Sequence, residues 1–191
     1  MFSDADLTYI RDNFVTLDEL LRDREETPER VHELIDAGVL PKPSYTLDDG
    51  TEYFPANYFT FPDSAGPPER HERTFWARYE RAVEAAGVQH DPDDWNAYLS
   101  GVYSTCLREV TPETIVTKER LVRRIEALLE RPRPDDESWG RDLREAVDEL
   151  DELERPFCDF DRERAGGTVT RDRFITTPRE RYPEVFAAAV R

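Results

Sequence analysis

At Thr27-Pro28, Asp91-Pro92 and Thr111-Pro112 the chain sets a residue able to cap a helix directly before a proline, and apolar residues at helical spacing follow each pair. This punctuation constrains the fold more than any other feature. A side-chain oxygen at the N-cap satisfies an orphan N–H of the first turn, and a proline there gives up no hydrogen bond because its nitrogen had no partner to lose. Behind Thr27, Val31, Leu34 and Ile35 recur until Ala37-Gly38 closes the segment. Behind Asp91, the spacing of Trp95, Tyr98, Leu99, Val102, Tyr103, Cys106 and Leu107 predicts one long, strongly apolar helix. Behind Thr111, Leu121, Val122, Ile125, Leu128 and Leu129 mark a helix that Pro132-Arg133-Pro134 ends. Two more stripes, Phe75 to Ala86 before Gly87 and Trp139 to Leu153, complete a mainly α expectation.

The N-terminal part has a different grammar. A first helix is predicted from Asp4 to Phe14, and Thr16 with Glu19 forms a capping box at the head of a short second one. Tyr45 to Leu47 and Thr51 to Phe54 flank Asp48-Asp49-Gly50, which reads as a β-hairpin because Asp-Gly favours the positive φ of tight turns. A capped helix, a helix ending in the run "DAGVLPKP" and a hairpin, in that order, resemble the winged helix-turn-helix of MerR-type regulators. That resemblance implies a DNA-reading helix over Pro28 to Asp36, but this stretch holds three acids against one arginine and is a poor reader of the major groove. The expected organisation is a winged helix-turn-helix-like module with a small β-hairpin over 1–60, a Pro/Gly/Ser-rich linker over 61–70, and an α-helical domain with an arginine-rich C-terminal tail over 71–191.

Charge narrows the partners. Acidic residues number 43 against 26 basic ones, a formal net charge of -17, so a phosphate backbone is repelled and nucleic acid is a disfavoured partner. No run approaches the roughly 18 apolar residues of a membrane span, and the acidic start lacks the basic region of a signal peptide, so a cytoplasmic protein is expected. Cys106 and Cys158 fit no CxxC pattern and read as reduced thiols. His32, His71 and His90 lie in separate segments, and neither a metal nor a cofactor is expected. Lysine stands only at 42 and 118, arginine supplying the other basic side chains.

Candidate chemistry gathers in two places. Trp95, Tyr98, Tyr103 and Cys106, followed by Arg108, suit the apolar wall and polar rim of a small-molecule pocket, and the small residues Ser100, Gly101 and Ser104 admit a close approach by a helix or a ligand. A thiol on such a stripe is expected to be raised in pKa, which argues against a nucleophile. In the tail, Arg162 and Arg164 precede Gly166-Gly167 and are placed to receive a carboxylate or phosphate, although flanking acids favour ion pairing. Asp159, Asp161 and Glu163 alternate as strand-borne acid/base or metal-binding groups would. No G-x-S-x-G, H-E-x-x-H or phosphate-loop pattern is present, so no catalytic residue is assigned.

The run "YLSGVYSTCLREVTPE" from Tyr98 to Glu113, with "ELDELERPF" and "TRDRFITTPRERYP", is similar to an uncharacterised actinobacterial family associated with natural-product biosynthesis gene clusters. The resemblance covers most of the chain and implies a pathway context rather than a reaction. The expected function is an accessory protein of specialised metabolism that binds a small metabolite or a partner protein, with cofactor-independent catalysis as a further option. Its rivals are a MerR-like transcriptional regulator acting as a homodimer, and a purely structural protein-interaction module.

Overall fold

In the computed structural model, which describes residues 2–187, Ser3 caps helix α1 (Asp4–Asn13): its hydroxyl accepts from the Asp6 amide, and the Asp6 carboxylate accepts from the Ser3 amide at 2.9 Å. A two-residue strand, β1 (Val15–Thr16), leads into α2 (Leu17–Leu20) under the expected Thr16–Glu19 box. Thr27 caps α3 (Pro28–Asp36) with Pro28 in its first turn. The hairpin forms from β2 (Tyr45–Thr46) and β3 (Glu52–Phe54), turning at Gly50 with φ +86°. The antiparallel sheet has the order β1-β3-β2, in the register Val15↔Phe54 and Tyr45↔Tyr53. Sequence reading had no signal for β1, because two residues show no alternation and only the partner strand defines them.

Residues read as a linker hold helix α4 (Thr60–Ala65), whose Phe61 is fully buried with Phe75 and Tyr98. Helix α5 (His71–Ala86) ends at left-handed Gly87, as its stripe predicts. The long apolar helix expected after Asp91 is instead two short ones, α6 (Asp94–Leu99) and α7 (Val102–Cys106), broken at Gly101 with φ +79°. An ideal Cβ on Gly101 would lie 2.6 Å from the Lys42 carbonyl oxygen, so the absent side chain lets the N-terminal segment dock there; the Lys42 amide donates to Leu99 O at 2.9 Å. The helix also starts later than the Asp91-Pro92 pair suggests, because Asp91 Oδ1 accepts from the Asp93 amide and forms a turn of its own.

Helix α8 (Pro112–Glu130) is the shared wall of two cores. Its Ile115 and Val116 pack with Phe75, Trp95 and Leu107, while Leu121 and Ile125 pack with Trp139, Leu143 and Leu150 of α9 (Glu137–Leu153). The tail carries α10 (Asp159–Arg164), a π turn over Asp172–Thr176, α11 (Thr177–Arg181) and α12 (Pro183–Phe186), and returns Phe174, Ile175, Tyr182 and Val185 to the α8–α9 core. Burial of these four anchors it, at roughly 1.5–3 kcal/mol for each large apolar side chain. Arg179 and Arg171 then clasp the acidic face of α9 through Asp148 and Asp151, partly exposed pairs that each add less than about 1 kcal/mol. Arg155 joins three segments by donating to Asn13 O, Leu107 O and Arg108 O at 3.0–3.2 Å while its guanidinium lies over Phe14. Among the described residues no helix is long and apolar enough to cross a membrane.

Candidate ligand-binding site

The Gly101 break, the start of the tail and the middle of α8 converge on a cavity of about 560 Å³. Ser44 and Gly101 form one side, Val102 and Phe157 give it apolar surface, and Lys118, Asp161, Arg164 and Thr170 bring polar groups. The Ser44 and Ser104 hydroxyls meet at 2.7 Å and close the wall behind Gly101.

Two buried carboxylates set its electrostatics. Glu154 has no exposed surface, and its Oε1 takes the Lys118 ammonium at 2.9 Å and the Thr170 hydroxyl at 2.6 Å. Its Oε2 has no hydrogen-bond partner. Asp161, 3% exposed, accepts from the Tyr45 hydroxyl at 2.8 Å and the Cys158 amide at 3.2 Å, both on Oδ2. Its Oδ1 is the unsatisfied atom, with Arg164 Nη2 standing off at 3.9 Å, beyond hydrogen-bond reach. A buried carboxylate oxygen without a donor costs free energy, and both of these oxygens are buried away from open space.

Each of the three potential nucleophiles here is shifted towards its protonated form. Burial pushes the Cys106 thiol above its ordinary value, and the neighbouring Lys118 does not reverse it. Burial alone would depress the Lys118 ammonium, but the Glu154 carboxylate at 2.9 Å opposes it and Lys118 is held high. Cys158 is pushed up to about 12, by burial first and then by the Asp161 carboxylate alongside.

A second cavity of about 320 Å³ lies on the other side of Lys118 and Thr170, which line both. At its base the Tyr79 and Tyr103 hydroxyls donate to the two oxygens of buried Asp94, and burial followed by that carboxylate raises both phenols above the usual tyrosine range. His90 stacks on Trp76 at its rim, ring centroids 5.1 Å apart.

The residues singled out from sequence are thus dispersed. Cys106 and Arg164 line the first cavity and Tyr103 the second. Trp95 and Tyr98 stack on each other inside the aromatic core around Phe75. Arg108 is exposed and lines neither cavity, and Arg162 is held by both oxygens of Asp172. Asp159, Asp161 and Glu163 sit on helix α10 rather than a strand, so a spacing that shares a strand face instead separates them: Asp161 is buried, the other two exposed. Sequence reasoning passed over Lys118, Glu154 and Thr170. Lys118 alone carried a signal, as one of two lysines in a chain that otherwise uses arginine. Among the described residues no three His, Cys, Asp or Glu side chains are grouped to hold a metal ion.

A family model described as "Family of unknown function (DUF6058)" matches residues 70–183, a span that includes Lys118, Glu154, Asp161, Arg164 and Thr170. No curated protein and no solved structure matches the chain.

Proposed function

The chain belongs to the DUF6058 family, of unknown function, and we propose that it binds a small polar metabolite in the cavity bounded by Lys118, Asp161 and Arg164, as an accessory protein of specialised metabolism. One observation carries the reading: a 560 Å³ cavity whose lining sets Val102 and Phe157 beside Lys118, Asp161 and Arg164. That size suits a small ligand, and the mixture of apolar wall with a few placed charges is what such sites use. The protonated state of Cys106 and Lys118 favours reversible binding over covalent catalysis. The pathway context draws on the resemblance of the Tyr98 to Glu113 run.

Native mass spectrometry of the gently purified protein, beside spectra taken under denaturing conditions, tests this. A small-molecule adduct that is lost on denaturation, and weakened in Arg164→Met, is the expected result. A bare protein mass that stays bare after incubation with extract of the producing cells overturns it.

A transcriptional regulator is the second reading, favoured by the addition of β1 to the hairpin behind the helices α1 to α3. Against it, the exposed face of α3 presents Glu29, Glu33 and Asp36, and its one arginine, Arg30, pairs with Glu33 at 2.8 Å. A low-salt gel shift with genomic fragments is expected to show no complex.

A further inference from the structure

We infer that residues 165–170 are a movable strap over the 560 Å³ cavity, pivoting at Gly166-Gly167 and latched shut where the Thr170 hydroxyl meets Glu154. The inference rests on the walls of the cavity and does not need its ligand to be known. The strap supplies Ala165, Thr168, Val169 and Thr170 to the lining. Both of its feet are fixed. Before it, Arg162 closes Nε and Nη2 on the two Asp172 oxygens at 2.9 and 3.1 Å, and donates from Nη1 to Phe157 O at 2.8 Å. After it, Arg171 pairs with Asp151, and Phe174 and Ile175 sit in the α8–α9 core. A loop clasped at its base can swing as a unit while its ends stay in place.

Little holds the strap between those feet. Glu163 to Thr168 are exposed, and among the described residues the Thr168 and Val169 amides make no backbone hydrogen bond. Gly166 and Gly167, at φ +78° and +98°, close α10 through bonds to Glu163 O and Arg162 O, and nothing lies within 4 Å of where a Cβ on either would stand. The pair is a helix cap with open space around it, where glycine can change φ without a steric barrier. Two contacts keep the strap down: Val169, 6% exposed, and Thr170 Oγ1, which donates to Glu154 Oε1 at 2.6 Å. The second is the latch, charge-assisted because its acceptor is a fully buried carboxylate. A segment with few packed contacts and one such bond opens at a lower free energy than the whole protein unfolds. Thr170 also lines the second cavity, so the same swing takes away a wall that the two share.

Slow iodoacetamide labelling of the native chain reads the opening, because Cys106 is buried on the cavity lining while Cys158 is buried outside it. Peptide mapping gives the two rates separately, and following them across pH separates access from thiol acidity. Thr170→Val, which removes the latch, is expected to speed Cys106 labelling about tenfold or more, the effect of one lost hydrogen bond to a charged group, and to leave Cys158 at its wild-type rate. Thr170→Ser, which keeps the hydroxyl, is expected to label like the wild type. Equal acceleration of both thiols, the mark of global unfolding, overturns the inference, and so does a Cys106 rate that Thr170→Val leaves unchanged. A small-molecule adduct in native spectra beside either failure keeps the binding reading and removes the strap alone. Accelerated Cys106 labelling in a protein that carries no adduct keeps the strap and removes the binding reading.

Discussion

Glu154 is the residue on which the interior is most exposed to damage. Its carboxylate is fully buried and leans on one ammonium and one hydroxyl. Lys118→Met strands that charge, and chemical denaturation is expected to show a loss of about 3 kcal/mol or more. Adding Glu154→Gln to Lys118→Met should recover part of it, since an amide carries no charge to strand; a double change no better than the single one would show that the pair is not the source of the loss. The two cysteines make a second residue-scale case. With both thiols buried and raised, native protein at pH 8 is expected to resist iodoacetamide and to react at both sites once unfolded. Asp6 supplies the acid limit: hydrogen bonds from Ser3 and the Phe160 amide outweigh burial and hold it at about 2 against an ordinary 3.8. Its contribution is therefore present above pH 4 and lost as pH falls towards 2, and Asp6→Asn should flatten the melting-temperature profile across that window. Of the residues lining the two cavities, Cys106, Tyr103 and Arg164 were singled out in sequence because thiols, phenols and arginines near an apolar stripe invite attention. Glu154 was hidden among the acids at the end of a solvated helix face, where the backbone leaves the helix to bridge Leu107 and the carboxylate meets Lys118 and Thr170.

Most elements with a local signature were read correctly, the helix expected behind Asp91-Pro92 being the exception. Thr16, Thr27 and Thr111 cap where their sequences say, Gly87 ends α5, and the Asp48-Asp49-Gly50 hairpin turns as expected. The apolar run from Trp95 to Leu107 keeps helical spacing straight through Ser100-Gly101, so periodicity alone joins what the backbone separates. The cause of the break is tertiary, a carbonyl from residue 42 seated where a Cβ would be. Gly101→Ala is accordingly expected to cost about 2 kcal/mol from its positive φ alone and more from the 2.6 Å approach, read as a lowered denaturant midpoint. An unchanged midpoint would mean that the break relaxes into continuous helix. The linker expectation missed for a related reason: Pro62 and Ser64 lie within α4, with Gly66, Pro67 and Pro68 just after it, but Phe61 among them is a core residue.

At the scale of the whole molecule, backbone-directed polar contacts join segments distant in sequence, alongside the apolar cores. Arg155 ties the end of α1, the segment after α7 and the end of α9 with one side chain. Lysine cannot reproduce three divergent donors from a planar fork, so Arg155→Lys should lower stability by about 1.5–3 kcal/mol, with the loss seen equally by probes in the N-terminal part and in α9. The mainly helical class was legible because caps and stripes are local; the sheet order, the shared wall of α8 and the meeting of Asp6 with the Phe160 amide are contacts across long stretches of chain, which no window of sequence contains. The cavity belongs to that second kind. Its polar walls are drawn from positions 44, 101, 118, 161 and 170, so no fragment of the chain owns a binding surface. An occupied cavity would act as a cross-link made of non-covalent contacts, closing loops over more than half the sequence. At a hundredfold excess over Kd it adds about 2.7 kcal/mol to the folded state, and cleavage by protease through the unfolded chain would then slow about a hundredfold.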